Sequence, residues 1–245
     1  MHIIRRIIKK IVETNWYYYL RYQTTIRIIK GGRFDVRGDV KIKNCYIYID
    51  SESELYLEDC KLENISIFLT NGGQMIVGKS SILERDENSY RPMYIVNNGK
   101  LTIADHVRLQ CQKVWIRFGG HISIGEYTNI NRGSEIRSDE SVDIGSYCQI
   151  SYNIRIWDTN THNIYTLEKR REITRNYFPS FGYEFERPRT APVVISNDVW
   201  LGEKVSILKG SYLGQGVIVG YNTIISNRKI PNGKKVIAKS DLLII

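Results

Sequence analysis

The sequence predicts an all-β chain built as a stacked solenoid, on three observations. The first is composition: 37 isoleucines and 17 tyrosines stand against 3 alanines and 14 leucines in 245 residues. β-Branched and aromatic side chains suit a pleated, half-buried surface, whereas a helical bundle draws on alanine and leucine. The second is spacing. Ile195, Leu201, Ile207, Leu213, Val219 and Ile225 recur every six residues, as do Ile124, Ile130, Ile136 and Val142 and, after a two-residue shift, Ile144, Ile150 and Ile156. A period of six fits neither an amphipathic helix nor a two-residue alternation; it fits a hexapeptide solenoid, in which each unit forms one side of a triangular coil. The third is punctuation: Gly125, Gly145, Gly202, Gly214 and Gly220 follow several of these anchors. Such a coil buries its apolar edge only by stacking on its neighbours, so the stack needs caps at its ends.

The elements follow in order. Residues 1–30 predict a basic amphipathic helix. Ile3, Ile4, Ile7, Ile8, Ile11 and Val12 share one face, and Arg5, Arg6, Lys9, Lys10 and Glu13 the other. Two readings stand: a cap on the solenoid, or a helix lying on an anionic membrane surface, with Trp16, Tyr17, Tyr18 and Tyr19 as its aromatic belt within residues 1–20. Residues 31–121 hold short strands without a clean six-period, although Ile103, Leu109 and Trp115 keep the spacing; they read as irregular coils of the same solenoid, with a separate β domain as the alternative. Residues 122–245 carry the hexapeptide region, broken by a loop at 157–192. The loop holds Asp158, His162, a charged stretch from Glu168 to Arg175, and the aromatics Tyr165, Tyr177, Phe178, Phe181, Tyr183 and Phe185. A loop of this length inside a compact domain is functional or disordered, and its aromatics predict order.

Several function classes drop out. Of the net charge of +9, residues 1–30 supply +6 (seven cations against Glu13), leaving +3 for the other 215 residues. That excess argues little for nucleic acid, and no nucleic-acid motif is present. No apolar run reaches the roughly 18–20 residues that span a bilayer. Arg5, Arg6, Lys9 and Lys10 interrupt any signal-peptide core, which predicts a cytoplasmic chain. Cys45, Cys60, Cys111 and Cys148 form no C-x-x-C pair, so reduced buried thiols are expected and a metal is not.

Three segments then carry a resemblance. They are Ile156-Trp157-Asp158-Thr159-Asn160-Thr161-His162, Ala191-Pro192-Val193-Val194-Ile195 with Val199-Trp200-Leu201-Gly202, and Ile207-Leu208-Lys209-Gly210 with Val217-Ile218-Val219-Gly220. Together they resemble the hexapeptide-repeat acyltransferases, in the O-acetyltransferase branch acting on capsule, lipopolysaccharide or sialylated glycans. The resemblance implies a left-handed parallel β-helix, a homotrimer, acetyl-CoA as co-substrate and a sugar hydroxyl as acceptor. Transfer to an amino sugar nucleotide and a non-catalytic scaffold are the competing readings.

Acetyl transfer to a hydroxyl needs a base near neutral pKa, which suits histidine. His2 is terminal, His106 reads as a turn residue and His121 as a coil corner; His162 opens the long loop, beside an acid and within the matching segment. Asp158 is the first candidate to orient its ring and Asp143 the second, with turn capping as the alternative role for each. The resemblance assigns coenzyme contacts to Trp200, Glu203, Tyr221 and Ser226. The chain departs from the family at Glu203, Tyr221 and Ser226-Asn227. Arg228 and Lys229 are candidates for the coenzyme phosphates. On the loop, Tyr165 offers a sugar-stacking face, and Lys169, Arg170, Arg171 and Arg175 could hold the carboxylate or phosphate of an anionic glycan.

Overall fold

The computed structural model describes residues 16–19, 23–85, 91–179 and 186–239. The chain winds as a three-sided parallel β-helix. Each coil lays one strand on sheet A, one on sheet B and one on sheet C before returning to sheet A. Sheet A runs from Thr24–Ile28 to Ile224–Ser226, sheet B from Arg33–Arg37 to Lys229–Ile230, and sheet C from Lys41–Lys43 to Lys235–Val236. One further strand, Trp16–Tyr19, pairs antiparallel with Thr24–Ile28 at the end of sheet A.

The six-residue anchors all point inward. Ile195, Leu201, Ile207, Leu213, Val219 and Ile225 are buried, each from a strand on the next face. A second inward column runs two residues ahead of them through Val193, Val199, Val205, Ser211, Val217 and Thr223, all buried. A strand alternates its faces, so a strand of four has room for two inward residues. This explains the two-residue shift: Val142 and Ile144 both point inward from the strand Ser141–Ile144.

Coil length accounts for the lost period upstream. Ile207 pairs with Ile225, eighteen residues on, which is three hexapeptides; Ile47 pairs with Ile67, twenty on, and Val114 with Ile136, twenty-two on. The longer coils keep the same inward stacking, with alternating patterns on strands such as Ile65–Leu69. Trp115 is the casualty of this drift. It was expected on the inward grid, but Val114 and Ile116 fill that role, and Trp115 faces out under Lys113 and Arg117.

The expected N-terminal helix needs a new boundary. Residues 1–15, where the helical pattern lies, are outside the described residues; Trp16–Tyr19 is a strand, and Thr24–Ile28 already belongs to the first coil. The four cysteines are unbridged and buried, and burial pushes the thiols of Cys45 and Cys60 up to about 11. Among the described residues, no helix is long and apolar enough to cross a membrane.

Candidate active site

The long loop leaves the coil at the corner between sheets A and B, after Arg155–Trp157, and returns at Val193–Ile195. Its two ends form a stem. Thr159 and Thr190 make an antiparallel bridge, the Asn160 N–H donates to the Arg189 carbonyl, and the Ala191 N–H donates to the Asp158 carbonyl. Higher up, the Tyr165 hydroxyl donates to Glu186 at 2.7 Å, and the Asn163 amide reaches the carbonyls of Glu186 and Arg187. Helix α1, Leu167–Tyr177, caps its N-terminus with the Thr166 hydroxyl and buries none of its residues. Phe181, Tyr183 and Phe185 lie outside the described residues.

His162 stands on this stem. With Asn163, Tyr165, Arg170, Ile173 and Thr174 it lines a cavity of about 400 Å³. The residues just before it are held from below by a buried polar cluster. Arg117 donates from Nε and Nη2 to the two oxygens of Asp139, at 2.8 and 2.7 Å, and Nη2 also donates to the Thr161 carbonyl at 3.2 Å. The Thr159 hydroxyl donates to Asp139 at 2.6 Å and accepts from the Thr161 N–H. Thr161 sits in the left-handed region, at φ 70°, which a β-branched residue rarely adopts and which the cluster must therefore impose.

The two expected orienting carboxylates do not reach His162. Asp158 is fully buried and accepts from the Ser138 hydroxyl, the Asp139 N–H and the Glu140 N–H at 2.8–2.9 Å. It ties the loop stem to the preceding coil, and burial raises its pKa against the opposing pull of those three donors. Asp143 is on the outer face of sheet B, where it accepts from Ser123 and Ser141 and lies 3.8 Å from His121. His121 itself opens the strand His121–Ile124 rather than a corner, and His106 is a turn residue at φ 58° stacked on Tyr127. Sequence reasoning missed Arg117, Asp139 and Thr159. The available signal was a polar patch recurring one coil apart, at Arg117, at Ser138–Asp139–Glu140 and at Asp158–Thr159, where the coil phase otherwise turns on small residues.

Comparison with known proteins adds to this geometry. No model of a protein family matches the chain. Among curated proteins, it is 30% identical over 135 residues to the Escherichia coli K12 protein WbbJ, named for lipopolysaccharide biosynthesis O-acetyl transfer, covering 55% of this chain and 66% of that one. It is 30% identical over 115 residues to the polysialic acid O-acetyltransferase of Neisseria meningitidis, covering 46% and 47%. The chain thus spans between about half and just under two thirds of these relatives. The crystal structure of the polySia-specific acetyltransferase NeuO shares the fold, with a TM-score of 0.51 at 17% identity over 89% of this chain and 83% of that one. In sequence and fold the chain is similar to these acetyltransferases.

Within this left-handed β-helix, the residues expected at the coenzyme divide between faces. Trp200 projects from sheet C, 55% exposed. Glu203 and Tyr221 stand at the corner between sheets C and A, where Lys204 donates to the Tyr221 hydroxyl at 3.0 Å and Asn153 to Glu203. Ser226 ends a strand of sheet A, and Arg228 and Lys229 lie exposed at the A–B corner, two coils beyond the loop. In a three-sided prism sheet C lies opposite the A–B corner. Trp200 thus stands on the face opposite the corner from which the His162 stem leaves. Of the expected acceptor residues, Tyr165 lines the His162 cavity; Arg171 and Arg175 line a neighbouring depression, and Arg170 borders both.

Proposed function

We propose that the chain is an acetyl-CoA-dependent O-acetyltransferase acting on a sugar hydroxyl of a cell-surface polysaccharide or its precursor, with His162 as general base. The observation that carries this reading is the placement of His162: it lines an open cavity on a stem held by a buried polar cluster, and the cavity holds an aromatic and a cation. The printed activities of WbbJ and of the polysialic acid enzyme supply the reaction class.

The imidazole takes the proton of the sugar hydroxyl as its oxygen attacks the thioester carbonyl. The tetrahedral adduct collapses with loss of the coenzyme thiolate, which receives the proton back from the imidazolium. A base of this kind contributes about 10²–10⁴ in rate. The division of the coenzyme residues supports a homotrimer, in which Trp200 of one copy meets His162 of the next. Arg170, Arg171 and Arg175 have no carboxylate partner among the described residues, and this supports an acidic acceptor. A cytoplasmic chain that meets the membrane through residues 1–20 would encounter lipid-linked precursors.

The test is thiol release from acetyl-CoA across a panel of acidic and neutral glycans, with His162→Ala alongside. The reading expects a glycan-dependent release that falls at least about 100-fold in the variant. Equal release by both proteins on every acceptor overturns it.

A further inference from the structure

Among the described residues, the buried charged side chains are Arg117, Asp139 and Asp158. All three lie at one corner of the prism, directly beneath the stem that presents His162. Taking charges out of water is costly, and a buried ion pair is a poor way to gain stability compared with the isoleucines stacked elsewhere in this core. The cluster is not even fully satisfied: Nη1 of Arg117 is buried with no hydrogen-bond partner. What the cluster does achieve is geometric. The planar guanidinium locks onto Asp139 through two parallel bonds, and its third bond fixes the carbonyl of Thr161. Asp139 simultaneously fixes Thr159, whose hydroxyl in turn holds the Thr161 N–H. Thr161 is thus gripped at both its N–H and its carbonyl, in a backbone conformation it would otherwise avoid, one residue before His162.

We infer that Arg117 and Asp139 form a positioning clamp that sets the direction of the His162 ring; the inference rests on His162 being the base. Neither residue touches substrate. The clamp acts on the backbone that carries the imidazole, a role distinct from the ring contact expected of Asp158 or Asp143. Charge alone would not suffice, because lysine lacks the fork that binds Asp139 and Thr161 together.

The experiment uses the full chain with acetyl-CoA and an accepted glycan, comparing Arg117→Lys and Arg117→Met in the native and His162→Ala backgrounds, the latter assayed with added imidazole. In the native background both variants are expected to lower kcat about 10–100-fold, as a misplacement of the base by an ångström would, with KM for acetyl-CoA unchanged. In the His162→Ala background with imidazole, the same variants are expected to leave the rescued rate unchanged, because a freely diffusing base needs no clamp. A second readout requires no turnover. The Cε1–Hε1 signal of His162, assigned by its loss in His162→Ala, is expected to shift or broaden in Arg117→Lys while those of His106 and His121 stay. Equal losses in both backgrounds, or an unmoved His162 signal, overturn the clamp. If His162→Ala itself retains full activity, it is the base assignment that fails, and the clamp's catalytic purpose falls with it. If added imidazole restores nothing, the signal alone decides.

Discussion

Asp158→Asn separates a strut from a partner that orients the imidazole. The carboxylate accepts three bonds: Oδ2 takes those from the Ser138 hydroxyl and the Glu140 N–H, and Oδ1 the one from the Asp139 N–H. An asparagine has a single oxygen. Placed at Oδ2 it keeps two bonds, and its NH₂ then faces the Asp139 N–H, donor against donor. A lost bond to a charged acceptor together with an unsatisfied buried amide costs several kcal/mol gross. Relief of carboxylate desolvation offsets part of this, leaving about 2–3 kcal/mol. For a chain of this size that corresponds to a fall in Tm of about 4–12 °C. There is also a pH signature. Burial raises the Asp158 pKa above its ordinary 3.8, so the folded chain holds this proton at pH values where the unfolded chain has released it. The stabilising contribution is complete below 3.8 and is lost as pH rises through the raised value. Asparagine removes that component, so the difference in stability between the variant and the parent should depend on pH in this window. Thermal melts across pH 3–7, paired with the pH profile of kcat/KM for thiol release, check both. A variant that melts like the parent but shifts the pH profile of thiol release would refute the strut and return Asp158 to the role of orienting the imidazole.

Other outcomes follow from the same geometry. Asp143→Asn should leave the pH profile of thiol release unchanged, since Asp143 contacts Ser123, Ser141 and His121 on sheet B. Ile207→Ala removes a fully buried residue stacked between Ile156 and Ile225 and should cost about 2–5 kcal/mol in urea melts. Gly99→Ala would place a Cβ 2.1 Å from the Gly120 carbonyl oxygen of the next coil, and the backbone shift this forces should cost about 1–3 kcal/mol by the same assay. Reversing charge at Arg170, Arg171 and Arg175 together should leave Tm unchanged, because these side chains are exposed, while activity on acidic glycans falls and activity on neutral ones persists.

The fold was legible in the sequence where successive sides of the coil stand six residues apart. There a single isoleucine or leucine marks each side of the triangle, and the spacing of six is the spacing of the sides. Upstream, coils of nineteen to twenty-eight residues stack just as tightly, as the Ile95–Val114 and Ile67–Ile95 pairs show. Their extra residues fall mainly at the corner between sheets A and B, where the inward Val114 and Ile124 stand ten apart and Ile207 and Leu213 six apart. A variable corner erases a fixed period without disturbing register, because register is set by stacking between coils and not by distance along the chain. Trp115 kept the count of six and still faces outward, which shows that spacing without an alternation check can assign a residue to the wrong face.

The site was legible only as far as local sequence reaches. His162 and Tyr165 lie three residues apart on one stem, and a single segment of sequence brought both forward. Arg117 sits 44 residues before the carbonyl it holds, and Asp139 twenty before the hydroxyl it accepts from. In a solenoid those separations are one or two coils, so residues distant in the chain become neighbours across a strand spacing of about 4.8 Å. Asp158 shows the converse. Four residues from His162 in sequence, it points into the stack and is used up by the coil below. In this architecture closeness along the chain is a poor guide to contact at a corner, and the residues one coil away, at an offset of about twenty, are the ones that reach the stem carrying His162. Aligning the sequence on its coils places Arg117, Ser138–Asp139–Glu140 and Asp158–Thr159 in a single column, and that column holds the buried charge of the described chain.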